Sequence, residues 1–386
     1  MTTKQVILHT GFHKNASSSI QHSLAKNRKL LQAKGYCYPE MTLAAGKRFY
    51  NQSIPLYGLF TNKPQSFRHY WYHNDLDYRV ANEIISQHLD SVLNQDQTLI
   101  FSDEFISRLS GENLIKVKSY FEENNYEIRV ISFVREPFKL IVSSAQQMAK
   151  AKTIEESICR DIANLDALKI RTLKNVFGDN AEFYSFERAC EHETGPVGFF
   201  FNLIGIALSS EQTERINEGM SMQAARLASY INSCCPLFLT VSELNPLRNP
   251  NDLVPIYSIK GDSFSLSTDE IEIIKPRVIK ARENISQILG CDFLPDAELP
   301  EGSDHVRWSA QQLQELVDIS PQLNLNLLLR IHDYFSTHNE LVFNSEDLSQ
   351  FTAIISGRLQ GELESLNAQL STRHRLMSII KKKFFA

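Results

Sequence analysis

Over the first 190 residues, short apolar runs alternate with longer stretches in which apolar side chains recur every three or four positions. The short runs, at residues 5–10, 98–102, 127–134 and 181–187, predict buried strands. The intervening stretches predict helices. Residues 17–34 place Ile20, Leu24 and Leu31 on one stripe, with Gly35 as a stop. Residues 112–123 form another helical run. Pro137 can open a third helix, since a missing N–H costs little in a first turn, and Thr153 with Glu156 has the spacing of a capping box. Strand and helix in alternation predict an α/β fold, a parallel sheet with helices on its faces.

Beyond residue 190 the strand signal fades and helical spacing dominates. Residues 245–255 (NPLRNPNDLVP) read as a turn-rich linker, and residues 267–289 as a helix that Pro276 should break or kink. Residues 348–380 carry Leu and Ile at broad helical spacing, and Lys381, Lys382, Lys383, Phe384 and Phe385 follow. The predicted division is a domain over residues 1–300, with a motif core at 1–190 and a mostly helical part at 190–300. A helical C-terminal extension with a basic tail occupies residues 301–386.

Composition narrows the function classes. The 386 residues are 42% hydrophobic and 22% charged, as in ordinary globular proteins, and Gly and Pro are too sparse for a low-complexity chain. A net charge of −5 offers no global basic field for nucleic acid. The most apolar stretch, residues 197–208, is interrupted by Asn202 and falls short of the ~20 residues a spanning helix needs. The first residues lack the apolar core of a secretion signal. The six cysteines show neither CxxC pairing nor metal-ligand spacing. Reduced, mostly buried thiols in a cytoplasmic setting are therefore expected.

Residues 6–21, V-I-L-H-T-G-F-H-K-N-A-S-S-S-I-Q, carry a strand through a glycine-containing turn into a helix. Such a junction suits an anion, because the first N–H groups of a helix have no internal partner and the dipole favours negative charge. Gly11 permits the sharp turn, Lys14 adds a compact positive charge, and Ser17, Ser18 and Ser19 add hydroxyl donors. A Walker A loop would place a second glycine just before the lysine and a hydroxyl just after it. Here no second glycine precedes Lys14, which speaks against an ordinary nucleotide kinase or ATPase.

Arg135 follows the strand at 127–134, with Pro137 and Ser143 beyond it. Open α/β sheets bind ligands at the carboxyl ends of their strands. A guanidinium there can donate two parallel hydrogen bonds to a phosphate monoester. Taken alone, such an arginine would sooner pair with Glu136 or a helix end.

Together and in this order, the two segments resemble the PAPS-dependent sulfotransferase family (PAPS is 3′-phosphoadenosine 5′-phosphosulfate), in its bacterial, carbohydrate sulfotransferase-like form. The family's 5′-phosphosulfate loop reads roughly H-K-T-G-T/S-S/T-S, and the matching run is His13-Lys14-Asn15-Ala16-Ser17-Ser18-Ser19. Asn15 stands where Thr is usual, and Ala16 where Gly is. The resemblance implies a P-loop-like parallel sheet and PAPS as co-substrate, without a metal. It places Lys14 at the oxygen bridging phosphate and sulfur, the backbone of residues 15–19 at the 5′-phosphate, and Arg135 with Ser143 at the 3′-phosphate, and Gly11 is counted with these cofactor-binding residues as the turn that shapes the loop. It covers the chain to about residue 190 by motif, and residues 261–294 look like the distal helical end of bacterial members. For the family's second phosphate-contacting loop there are two candidates, residues 259–262 and Arg307-Trp308.

Ser102-Asp103-Glu104 ends the strand at 98–102 and belongs on the same rim. An acceptor hydroxyl must lose its proton as it attacks sulfur, and a rim carboxylate can take it. Related carbohydrate sulfotransferases often use a Glu, so Glu104 is the first choice and Asp103 the second. Both could instead cap a helix at residues 105–109. His13 could orient the acceptor or sulfate, or bond the backbone. Arg68-His69-Tyr70-Trp71-Tyr72-His73 offers aromatics for a sugar ring, while His69 and His73 lack a nearby third metal ligand.

Three functions follow. The first is sulfuryl transfer from PAPS to a hydroxyl, on a glycan or surface-polysaccharide precursor, without nucleic acid. The second is a P-loop-related nucleotide or sugar kinase, which would need magnesium and ATP. The third is a non-catalytic adenine-nucleotide-binding module of a glycan-export complex.

The tail predicts peripheral contact with the inner face of a membrane, because Ile379, Ile380, Phe384 and Phe385 accompany three lysines. In flotation with anionic liposomes, full-length protein should be recovered with the lipid. A chain ending at Arg375 should stay behind, and equal recovery of the two rejects the anchor.

Overall fold

The computed structural model describes residues 4–42, 48–49, 52–64, 77–93, 96–214, 216, 219–240, 243–295, 298–303 and 306–384, without the side chains at 42, 48–49, 53–54 and 369–384. The aromatic cluster at residues 68–73 and the side chains of the basic tail therefore lie outside the described residues.

Five strands form one parallel sheet: β1 (Lys4–His9), β2 (Tyr36–Cys37), β5 (Thr98–Ser102), β6 (Tyr126–Val134) and β7 (Ala181–Ser185). Their order is β2-β5-β1-β6-β7, and a separate antiparallel pair joins β3 (Met41–Thr42) to β4 (Arg48–Phe49). The α/β class predicted from the alternation is the one observed, with helices flanking the sheet and a helical C-terminal stretch. β1 is central. It pairs His9 with Ser102 of β5 on one side and with Ile131 of β6 on the other.

A strand buried on both faces needs apolar residues at consecutive positions, because successive side chains point to opposite sides. β1 meets this with Val6 and Leu8 in one core cluster and Ile7 in the other. β5 repeats it, with Leu99 and Phe101 on the first side and Ile100 on the second. On the first face pack the helices Tyr78–Leu93, Gly111–Glu123 and Ile162–Phe177, through Ile85, Leu89, Val117, Phe121, Ile170 and Leu173. On the second face lie α1 (Ser17–Lys26), through Ile20 and Leu24, and the helix Gly195–Leu203, through Phe200 and Phe201. Each such side chain contributes about 1.5–3 kcal/mol on leaving water.

The chain divides into two units built from interleaved stretches. One comprises Met1–Ile141, Asp161–Glu218 and Lys275–Leu299, and the other Val142–Arg160, Gly219–Ile274 and Pro300–Ala386. The first holds the sheet. Within the second, Trp308 packs edge-on to Phe335 at 5.1 Å, and Phe335 on Phe351 of the helix Ser345–Phe384 at 4.8 Å. Arg226 forks onto Glu270 at 2.6 and 2.7 Å. The two candidates for a second phosphate loop meet here at Gln223. Its side chain bonds both Asp262 and the Arg307 carbonyl.

Several elements differ from expectation for identifiable reasons. The helix expected over residues 17–34 is two, because Asn27 leaves helical geometry and its side chain bonds the carbonyls of Ser23 and Gln212. The strand expected to reach Glu187 stops at Ser185, which accepts from the Arg188 N–H and starts a helix at Phe186. The helix Thr268–Leu289 runs through Pro276. Pro276 is exposed, so its ring stands on the solvent side of that helix. All six cysteines are free as expected, but Cys159, Cys190, Cys234 and Cys291 are exposed rather than buried.

Candidate functional site

Parallel pairing aligns the carboxyl ends of β5, β1 and β6, and the three segments singled out in the sequence leave from those ends. The β1 segment is anchored first. The N–H groups of Thr10 and Phe12 bond the carbonyls of Ile131 and Phe133, and the Phe133 N–H returns to the Gly11 carbonyl. Asn15 is fully buried, and its Nδ2 donates to the Phe133 carbonyl at 2.6 Å. One of the two departures from the pattern quoted above thus fastens the loop to β6.

Gly11 has φ +89°, and a Cβ there would lie 3.0 Å from the Glu104 Cβ. Lys14 and Ala16 also occupy the left-handed region, at φ 67° and 59°. For Ala16 this costs about 1–2 kcal/mol, which Gly would avoid. Ala16 then leads into α1 without a side-chain cap, and no acidic residue lies in the first turn. The leading N–H groups of a ten-residue helix and their partial positive charge are left for an anion.

The serines divide their duties. Ser17 Oγ donates to the Phe12 carbonyl, and Ser19 Oγ accepts from the Ile216 N–H at 3.1 Å. Among the described residues, Ser18 keeps its hydroxyl uncommitted, while the backbone of all three remains at the helix start.

Arg135 does not pair with Glu136. That carboxylate, 1% exposed, is held by Arg282 at 2.8 Å. Arg135 instead donates from Nη1 to the Lys14 carbonyl at 2.9 Å and lies over the Phe186 ring at 5.2 Å. Its Nε is buried and has no hydrogen-bond partner among the described residues. Burial lowers its pKa, against the opposing effect of Glu187. A buried donor of this kind is costly unless a ligand satisfies it. Ser143 lies further along the helix Pro137–Met148, on the stretch belonging to the second unit, and is partly exposed.

The two carboxylates after β5 separate cleanly. Asp103, 2% exposed, accepts from the N–H groups of Phe105 and Ile106 at 2.8 and 3.3 Å and caps the turn Ile106–Arg108. Glu104 takes no such role and faces the loop, with its Oε1 3.3 Å from His13 Nδ1. Burial pushes the Glu104 carboxyl up, but its neighbours, His13 foremost, outweigh it, so its pKa is lowered. His13 also stands edge-on to Phe105, ring centroids 5.1 Å apart.

Three neighbours were not singled out in the sequence. Beneath the loop, His9 is buried and bonds Ser102 Oγ at 2.8 Å, and burial pushes its pKa down to about 4. Asp166 and Lys169 form a 2.5 Å ion pair on the helix Ile162–Phe177, with the Lys169 ammonium 5.2 Å from the centre of the Phe12 ring. Their i,i+3 spacing was the available signal. Among the described residues there is no group of three or more His, Cys, Asp or Glu able to hold a metal ion.

No protein-family model matches the sequence, and no curated protein matches it. Solved structures to which the chain is similar include a sulfotransferase from Alicyclobacillus acidocaldarius, at 11% identity and a TM-score of 0.39, over 75% of this chain and 97% of that one. The sulfotransferase domain from the curacin biosynthetic pathway is similar at 12% identity and a TM-score of 0.33, over 72% of this chain and 97% of that one. A structure from the PezAT toxin–antitoxin system of Streptococcus pneumoniae is similar at 12% identity and a TM-score of 0.28, over 55% and 82%. Likeness at this level says nothing of what the chain does, and the site's own geometry has to carry that.

Gly11→Ala should destabilise the fold by about 1–3 kcal/mol, through left-handed strain and collision with Glu104. Urea unfolding reads this as a lower midpoint with an unchanged slope. An unchanged midpoint would contradict the close approach of the two loops.

Proposed function

We propose that the first unit binds PAPS and transfers its sulfuryl group to an acceptor hydroxyl, on a glycan or surface-polysaccharide precursor. The observation that carries this reading is the convergence of Lys14, the uncapped start of α1 and Arg135 on adjacent strand ends, with the Arg135 Nε buried and, among the described residues, unpartnered. Those groups suit a ligand with two anionic ends. The helix start and Lys14 take the 5′-phosphosulfate, and Arg135 takes the 3′-phosphate. The resemblance adds Ser143 to the 3′ group, but the reading rests on first-unit residues alone.

Transfer is an in-line displacement at sulfur. Charge grows on the departing 5′-phosphate and on the sulfuryl oxygens, where Lys14 and the α1 N–H groups stabilise it, as in phosphoryl transfer. The phosphate is a good leaving group, so the reaction needs no metal in principle. The pair Glu104–His13, on the opposite side of the loop from Arg135's contact with Lys14 O, receives the proton of the incoming hydroxyl.

Arg135→Ala should weaken binding of 3′-phosphoadenosine 5′-phosphate (PAP) by about 2–5 kcal/mol, the cost of removing one partner of a buried charge pair. Binding of 5′-AMP should fall far less, through the lost brace on the Lys14 carbonyl only. Calorimetry with both ligands separates the terms, and equal losses would mean that Arg135 does not meet the 3′ group.

A further inference from the structure

We propose that His13 Nε2 is the atom that takes the acceptor's proton, and that Glu104 is a positioning residue for it; this rests on the sulfuryl-transfer reading above. The geometry of the pair leads there. The Glu104 carboxyl is held below its usual range, so at neutral pH it is a carboxylate, able to accept hydrogen bonds but not to donate them. Its oxygen lies 3.3 Å from His13 Nδ1, so Nδ1 must carry the proton in a neutral imidazole. The lone pair is then on Nε2.

That nitrogen is buried and has no hydrogen-bond partner among the described residues. Phe105, edge-on to the ring, fixes the plane and offers no polar atom. An acceptor hydroxyl bonded at Nε2 would satisfy a buried polar atom that the described residues leave unsatisfied. Glu104 is the poorer base on two counts. It already faces the His13 Nδ1 proton, and its lowered pKa reduces its proton affinity.

The charged and titratable groups around the imidazole come from each packed element. The β5 end supplies Glu104, β1 supplies His9, and the loop itself supplies Lys14. The helix Ile162–Phe177 supplies Asp166, which is close enough for His13 to act on its charge, and Lys169, which pairs with that Asp.

The step balances without another reactant. The acceptor oxygen forms a bond to sulfur as the bond from sulfur to the bridging oxygen breaks, and that electron pair leaves on the 5′-phosphate of PAP. The hydroxyl proton passes to Nε2, giving an imidazolium held by Glu104.

The test labels the histidines of the full chain with ¹⁵N and identifies the His13 signals by their loss in His13→Gln. The expected result at neutral pH is a protonated Nδ1 and a bare Nε2, with Glu104→Gln raising the share of the opposite tautomer. PAPS cleavage with water as the acceptor gives the second readout. His13→Gln should lower it by about 10²–10⁴-fold while PAP affinity, measured by calorimetry, stays within a few-fold. A protonated Nε2 in the wild type, or near-normal cleavage by His13→Gln, overturns the assignment. A wild-type chain that does not bind PAP overturns the donor reading itself, whereas one that binds PAP but shows the wrong tautomer overturns only the role of His13.

Discussion

Parallel hydrogen bonding of β1 between β5 and β6 is the constraint from which the candidate site follows. In a parallel sheet, neighbouring strands end on the same edge, so loops far apart in the chain emerge side by side. His9 pairs with Ser102 and with Ile131, which sets the β1 loop beside Glu104 on one flank and Arg135 on the other. The register is enforced from both faces by the alternation of Val6, Ile7 and Leu8, because a slip of one residue would exchange the two core clusters. Packing of the sheet and placement of the chemistry are therefore the same event.

The loop between β1 and α1 stores the strain this arrangement demands. Lys14 and Ala16 are held at positive φ, and Gly11 passes too close to Glu104 for a side chain. Fastening comes from β6, through the Phe133 carbonyl to Phe12 N and Asn15 Nδ2, and from Arg135 to the Lys14 carbonyl. The consequence is a helix start without a side-chain cap, beside a buried guanidinium nitrogen that none of the described residues satisfies. Both features are costly in an empty protein and favourable around a doubly anionic ligand.

Much of this could be read from residue order, and what could not has local causes. The strands at 98–102 and 127–134 were visible as apolar runs, and the Gly11-to-Ser19 and Arg135 segments as motifs placed after them. The break at Asn27 was hidden, because a polar side chain bonding the distant Gln212 carbonyl leaves no periodic trace. Asp103 and Glu104 are chemically near-equivalent neighbours, and only the backbone N–H groups of Phe105 and Ile106 decide that the first is a cap. The His13–Glu104 pair joins two loops ninety-one positions apart, and only strand order brings them together. The interleaving of two units is likewise a matter of contacts, which no composition shift marks.

The edge of the sheet has to accept a nucleotide with two anionic ends, and titration calorimetry of the wild-type chain decides whether it does, with a metal chelator present for PAP and 5′-AMP and with magnesium for ATP. PAP should bind saturably at one site and more tightly than 5′-AMP, because the Arg135 side supplies a donor for the 3′-phosphate. Tight binding of ATP with magnesium, together with no detectable heat from PAP, would contradict it.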